Sequence, residues 1–171
     1  MANFTLHSST KEAISDIGFG ILISREDLAN DIWTAAGANL FTISGGNIVV
    51  TFFQQEVATI ALGAEAVVPI FTHTVAAPYT VAAQDFSVAP VAAMTNAAIG
   101  ETLTVVGTAL NTAALHQTVV PVSLIAMAAR LIFKPGIISV ASAVAATLTA
   151  TTVITRMFYY PMDTGVNVVA S

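Results

Sequence analysis

Apolar and polar residues alternate along most of the chain from residue 39 onward, the pattern of β-strands that bury one face. The first two alternating segments are 39–44 and 47–52, and only Gly45-Gly46 separates them. A two-residue hairpin turn of type I′ needs positive φ at both central positions, which glycine supplies without strain. The pattern therefore predicts a β-hairpin over 39–52.

Further strand-like segments continue to the end of the chain. They are 56–61, one or two strands within 66–75, 101–107, 117–120, a strand ending at Val140 after the Lys134-Pro135-Gly136 turn, 146–160, and 166–170 after a turn at 161–165. In the long segment 146–160, the odd-numbered residues from Thr147 to Tyr159 share one face. The stretches 87–99 and 122–133 are ambiguous, and one short helix is possible around Leu124, Met127, Ala128 and Leu131.

The beginning of the chain has a different character. Ser24-Arg25-Glu26-Asp27 resembles a helix start capped by Ser24, and this predicts a short helix through Trp33. The preceding segment 18–23 is apolar and contains glycine, so it is either an ordinary edge strand or an extended arm that adds to a neighbouring subunit. We predict an N-terminal arm or short helix over 1–33 and a β-sandwich over 34–171.

These patterns predict an all-β fold, a β-sandwich of jelly-roll-like or Greek-key type with an N-terminal extended arm or short helix. Composition agrees, because Ala, Val, Thr and Ile dominate over Leu and suit a pleated sheet.

Scarcity of charge points to assembly. Charged residues make up 9% of the 171 residues, against about 25% in a typical soluble domain, while hydrophobic residues make up 56%. Monomers rarely expose large apolar patches. We therefore expect a homo-oligomer, most simply a trimer. The net charge of −5 argues against a nucleic-acid partner.

Two long uncharged runs, 102–129 and 136–155, raise the possibility of membrane spans. The first is interrupted by Gly107 and Pro121, and the second is dense in Ser and Thr, so we predict no transmembrane helix and no membrane partner. The first residues lack the pattern of a secretory signal. The absence of cysteine excludes disulfides and thiolate metal sites.

The sequence offers little chemistry. No nucleophile elbow, phosphate-binding loop or zinc-protease motif occurs. His7, His73 and His116 are far apart, and His73 within its strand pattern is best interpreted as a hydrogen-bonded structural residue. Glu56, Glu65 and Asp85 have no spacing that suggests a paired-carboxylate site. We predict no catalytic, cofactor-binding or metal-binding residue, no cofactor, and no enzymatic activity.

Trp33, Phe52-Phe53 and the aromatic run 158–160 could stack on a sugar, but alternation places Phe52 and Phe53 on opposite faces, so at least one belongs to the core.

Arg156 is an isolated cation within an apolar strand. It is either a solvent-facing residue or the partner of an N-terminal acid across a subunit interface.

Four segments resemble small virion structural proteins of tailed bacteriophages. They are 40–50 with its Gly-Gly turn, 56–60, the Pro-Gly turn and Ile strand at 135–138, and the ending 157–170 (Met-Phe-Tyr-Tyr-Pro-Met-Asp-Thr-Gly-Val-Asn-Val-Val-Ala). Two positions depart from that pattern, since Thr155 stands in place of a Trp and Met162 in place of a Leu. The resemblance implies a capsid decoration (cement) protein, all-β and often trimeric, with no catalytic residues.

From this resemblance we expect a protein made in the bacterial host cytoplasm and located on the phage head surface, with the major capsid protein as its partner. The alternative is a head-fibre or tail appendage module that binds host-surface carbohydrate.

Overall fold

The computed structural model describes residues 20–59, 66–78, 83–87, 93–105, 115–117, 130–147 and 150–171. Its elements, in chain order, are β1 (Ile21–Leu28), α1 (Ala29–Ile32), β2 (Ala38–Ser44), β3 (Ile48–Val57), β4 (Pro69–Val75), β5 (Gln84–Asp85), β6 (Thr102–Thr104), β7 (Leu115–Gln117), β8 (Leu131–Phe133), β9 (Gly136–Ser142), β10 (Thr152–Pro161) and β11 (Asn167–Ala170).

These strands form two antiparallel sheets. Sheet A has the order β1-β10-β3-β6-β7, and β8 also pairs with β3. Sheet B has the order β11-β2-β9-β4-β5. The inward faces of both sheets contribute to one hydrophobic core, so the predicted all-β sandwich is confirmed.

The predicted hairpin over 39–52 is wrong. Both strands exist, but β2 pairs with β9 and β11 in sheet B, whereas β3 pairs with β10, β6 and β8 in sheet A. The Gly45-Gly46 turn therefore carries the chain from one sheet to the other. The separate strand predicted at 56–61 is also wrong, because β3 continues without a break to Val57.

The β2–β3 turn packs against the β10–β11 turn, which also crosses between the sheets. The backbone N–H of Asn47 donates a hydrogen bond to Oδ2 of Asp163 at 2.7 Å. Gly45 has φ of +78°, and a Cβ built on it would lie 2.0 Å from the carbonyl oxygen of Gly165. This close approach of two backbones requires glycine at position 45.

The first described strand corrects the predicted boundary between an N-terminal unit and the sandwich. Residues 21–28 pair along their whole length with β10, as the edge strand of sheet A. The helix predicted to start at Ser24 is wrong, since α1 is only the four residues Ala29–Ile32. Pairing of eight residues with β10 outweighs a local capping signal. Residues 1–19 of the predicted arm lie outside the described residues.

Arg25 explains why the charged segment can be a strand. Its side chain points to the core side of β1, where the guanidinium pairs with Asp27 and donates to the carbonyl oxygens of Asn39 and Leu40 at 2.8 and 2.9 Å. It also donates to the main-chain oxygen of Ser171. Arg25 thus joins the open edge of sheet A to the neighbouring edge of sheet B.

The core lies between the sheets and is rich in aromatic rings. Phe53 contacts the rings of Phe41, Phe71 and Phe86 at centroid distances of 6.3, 4.8 and 5.4 Å. The buried Trp33 indole donates to Oε1 of Gln55 at 2.9 Å, and Nε2 of Gln55 donates to the Thr155 hydroxyl at 3.0 Å.

Several other strand predictions are confirmed. Val153, Thr155, Met157 and Tyr159 form the buried face of β10, as their alternation predicts. Strands β4, β6, β9 and β11 lie within or overlap their predicted segments. The possible helix around 124–131 falls largely outside the described residues, although Leu131 itself belongs to β8. No described helix is long and apolar enough to cross a membrane.

Candidate interaction surface

An open groove lies at the end of the sandwich where the chain passes from β8 of sheet A into β9 of sheet B. Its volume is about 210 Å³, and its lining residues are His73, Val75, Gln84, Phe86, Ile132, Phe133 and Lys134. His73, Phe86 and Phe133 are nearly completely buried and form the floor. Ile132 is 61% exposed and forms part of the rim.

His73 is held rigidly in this floor. Its ring stacks on Phe133 with centroids 4.6 Å apart and planes 19° apart. Nε2 lies 3.0 Å from the carbonyl oxygen of Lys134, so Nε2 carries the proton and donates it. The hydrogen bond that the sequence interpretation of His73 predicted is therefore confirmed, and the position of His73 on a groove is an addition that the sequence did not predict.

Burial lowers the pKa of His73 below 6.5, and the hydrogen bond to the Lys134 carbonyl offsets this only in part. The unfolded chain therefore binds a proton at this site more readily than the folded chain. We expect stability to fall as the pH drops below 6.5 and through the folded-state pKa, with a slope of at most about 1.4 kcal/mol per pH unit.

The measurement is urea unfolding between pH 7.5 and 4.5 for the wild type and for His73→Gln. Glutamine keeps an N–H donor for the Lys134 carbonyl but does not titrate, and all other titrating groups are common to both proteins. As the pH falls, the free energy of unfolding of the wild type should decrease more than that of the variant. A constant difference in unfolding free energy across this range would contradict a lowered pKa of His73 in the folded chain.

Beside the groove, the outward face of sheet A presents an apolar strip. Leu22 pairs with Phe158, and Tyr160 and Ile132 both pair with Val49, so these side chains are neighbours across four strands. Leu22 is 45% exposed, and Val49, Phe158 and Tyr160 are half-buried. We call these five residues the outer apolar strip. It continues into the groove through Ile132, which belongs to both.

The same face is closed off further along β3. Phe52 is fully buried against Phe158, with ring centroids 5.7 Å apart, although it faces away from the core. The next outward residue, Gln54, is also buried, and its Nε2 donates to the hydroxyl of Thr104 at 3.0 Å. The sandwich therefore buries part of the outer face of sheet A, and the outer apolar strip borders this buried part.

Arg156 has its partner within the chain. Its guanidinium pairs with the carboxylate of Glu56 on the adjacent strand β3, and both side chains are partly buried. The described contacts thus match neither a free solvent-facing residue nor a bridge to an N-terminal acid. An ion pair on neighbouring strands of one sheet satisfies the cation locally.

The other residues considered from the sequence do not converge. Asp85 accepts a hydrogen bond from Thr72 at 2.7 Å, His116 lies in β7, and His7 and Glu65 fall outside the described residues. Within the described ranges, no group of three or more His, Cys, Asp or Glu side chains is placed to hold a metal ion. Trp33, Phe52 and Phe53 are all buried, so none of them offers a ring for stacking on a sugar.

In comparisons with known proteins, no family model, no curated protein and no solved structure matches the chain.

Proposed function

We propose that this protein is a non-enzymatic structural subunit of a bacteriophage particle, a capsid decoration protein that binds the outside of the head and bridges neighbouring capsid subunits. The observation that carries the proposal is the outer apolar strip, five largely apolar side chains that are neighbours across one sheet face. Apolar patches of this kind mark sites of association with other proteins. With only 9% charged residues, the chain has little else with which to recognise a partner.

The edge of sheet A provides a second means of association. Strand β1 pairs with β10 on one side, and its other side has no strand partner in the part of the chain that the structure describes. Such an edge accepts a strand from another chain through backbone hydrogen bonds. Because Leu22 lies on β1, an added strand would extend the outer apolar strip, which favours a homo-oligomer, most simply a trimer.

A decoration protein stabilises a shell by mass action. A ligand that binds only the assembled shell contributes RT ln(1 + [L]/Kd), about 2.7 kcal/mol per site at one hundred times Kd. The contact should tolerate salt, since apolar burial and backbone hydrogen bonds are screened far less than ion pairs between exposed charges.

The first test is the mass of the purified protein by light scattering at micromolar concentration. We expect a trimer, and we expect Leu22→Glu to dissociate it by placing a charge in the strip. The matched control is Val169→Glu, which changes an equally exposed apolar residue, 43% exposed on β11 of sheet B, and should leave the mass unchanged. A monomeric wild-type protein would contradict the predicted homo-oligomer.

The second test uses phage particles that lack the protein. They should burst at a lower temperature, and added wild-type protein should restore them equally at about 0.15 M and 1 M salt. Leu22→Glu should fail to restore them, whereas Val169→Glu should succeed. Particles that are equally robust without the protein but fail to attach to the host would replace this proposal with the carbohydrate-binding appendage.

A further inference from the structure

The groove floor contains a polar atom that the fold leaves without a partner. Since Nε2 of His73 donates to the Lys134 carbonyl, Nδ1 of the neutral ring is a hydrogen-bond acceptor. Nδ1 has no hydrogen-bond partner among the described residues, and it is not one of their fully enclosed unpaired atoms, which are Asn30 Oδ1 and Thr151 Oγ1. His73 is 5% exposed and lines the groove, so the groove is where Nδ1 reaches solvent.

The surroundings of this acceptor suit an aromatic guest. The floor is a connected set of rings, with His73 stacked on Phe133 and Phe133 tilted against Phe86 at 5.0 Å between centroids. A further ring can pack on such a set edge-to-face or offset. Val75 and the exposed Ile132 supply aliphatic contact at the sides. Burial also keeps the pKa of His73 low, so the ring stays neutral and Nδ1 stays an acceptor at pH 7.

Size limits the guest to a single ring. The groove holds about 210 Å³, below the range of about 300–1,000 Å³ that is usual for sites of drug-sized ligands. One aromatic side chain fits this description better than a cofactor or an oligosaccharide. Tyrosine combines an apolar ring with an O–H donor, which is why it is enriched at protein interfaces.

We infer that the groove is a receptor site for an aromatic ring that carries a hydrogen-bond donor, namely a tyrosine side chain of a neighbouring protein chain. The ring would pack against Phe133 and Ile132 while its hydroxyl donates to Nδ1 of His73. Ile132 belongs to both the groove and the outer apolar strip, so a chain that covers the strip would reach the groove. The inference rests on the proposed function only for the source of the ring, not for the chemistry of the site.

The test is an NMR titration of the isotope-labelled full chain carrying Leu22→Glu, which leaves the groove free of a neighbouring chain, with p-cresol and, in parallel, with toluene, which has the same ring without the hydroxyl. p-Cresol should shift signals of His73, Phe133 and Ile132 and should bind about fivefold more tightly than toluene, as expected for one net hydrogen bond. Equal affinities for p-cresol and toluene would overturn the proposed site, and so would signal shifts confined to residues outside the groove.

Two variants separate the contributions of the acceptor and the wall. His73→Phe keeps a stacked ring but removes Nδ1, so the preference for p-cresol over toluene should disappear. Ile132→Ala trims an exposed side chain, leaves the fold intact, and should weaken binding of both compounds. A preference that survives His73→Phe would assign the discrimination to another group and overturn the role of Nδ1.

A final pair of probes tests the source of the ring. N-acetyl-tyrosinamide should bind at the same signals and N-acetyl-phenylalaninamide should bind more weakly. If p-cresol binds but N-acetyl-tyrosinamide does not, the site takes free phenols and the side-chain assignment is overturned. These outcomes are independent of the Leu22→Glu mass measurement, so failure of the groove and failure of the oligomer can be told apart.

Discussion

Replacing Gly45 with alanine should lower the free energy of unfolding by about 3 kcal/mol or more. Alanine at φ of +78° is strained by about 1–2 kcal/mol. In addition, its Cβ would lie 2.0 Å from the carbonyl oxygen of Gly165, so one of the two crossing turns must move. For a domain of this size the melting temperature should fall by about 6–12 °C.

Gly100→Ala is the matched control. Gly100 also has positive φ, +89°, but a Cβ built on it meets no atom within 4 Å. Its substitution therefore carries the conformational strain without the backbone clash, and it should cost about 1–2 kcal/mol. Urea unfolding of both variants measures the difference. If the two variants lost equal stability, the close packing of the two turns would not contribute to the fold.

The same turn shows where sequence patterns reach their limit. Alternation and the Gly-Gly pair correctly located β2, β3 and the turn between them. They could not show which strands pair, because a turn with positive φ at Gly45 serves equally well to reverse the chain within a sheet or to cross between sheets. The distant turn around Gly165, whose backbone fits against Gly45, favours the crossing between sheets. Pairing of this kind is set by contacts far apart in sequence.

The N-terminal charged segment shows a second limit. Ser24-Arg25-Glu26-Asp27 carries the local signals of a helix start, yet it forms part of β1. Arg25 faces the core side because the carbonyl oxygens of Asn39 and Leu40 are available there. Those acceptors belong to β2 in the opposite sheet, so no local pattern reveals them. The alternation of 153–159, by contrast, needed only that one face be buried, and it was predicted correctly.

The candidate site was the least predictable part. Sequence reasoning correctly predicted a hydrogen-bonded His73, but the groove forms only because Ile132 and Phe133 of β8, and Lys134 after it, lie beside β4. Strand β8 lies in a stretch whose pattern was ambiguous. Likewise, alternation required at least one of Phe52 and Phe53 to be buried, and both are, because part of the outer face of sheet A is covered as well.

Phe53→Ala should be among the most destabilising single substitutions in this chain, with a loss of about 3–5 kcal/mol. Phe53 of sheet A is fully buried and contacts three aromatic rings from the side of sheet B, so its removal opens a cavity in the middle of the core. The rings around it belong to β2, β4 and the segment after β5, and they cannot close the space without moving whole strands. The measurement is the free energy of unfolding in urea, together with the melting temperature.

The matched control is Phe52→Ala, which removes the same ring from the neighbouring residue. Phe52 is equally buried, so both variants lose the same transfer free energy. Its only described ring contact is Phe158, which is half-buried at the sheet surface and can relax into the space. Phe52→Ala should therefore lose less stability than Phe53→Ala, because the cavity it leaves can close. If Phe52→Ala were the more destabilising of the two, the centre of packing would lie on the outer face of sheet A rather than between the sheets.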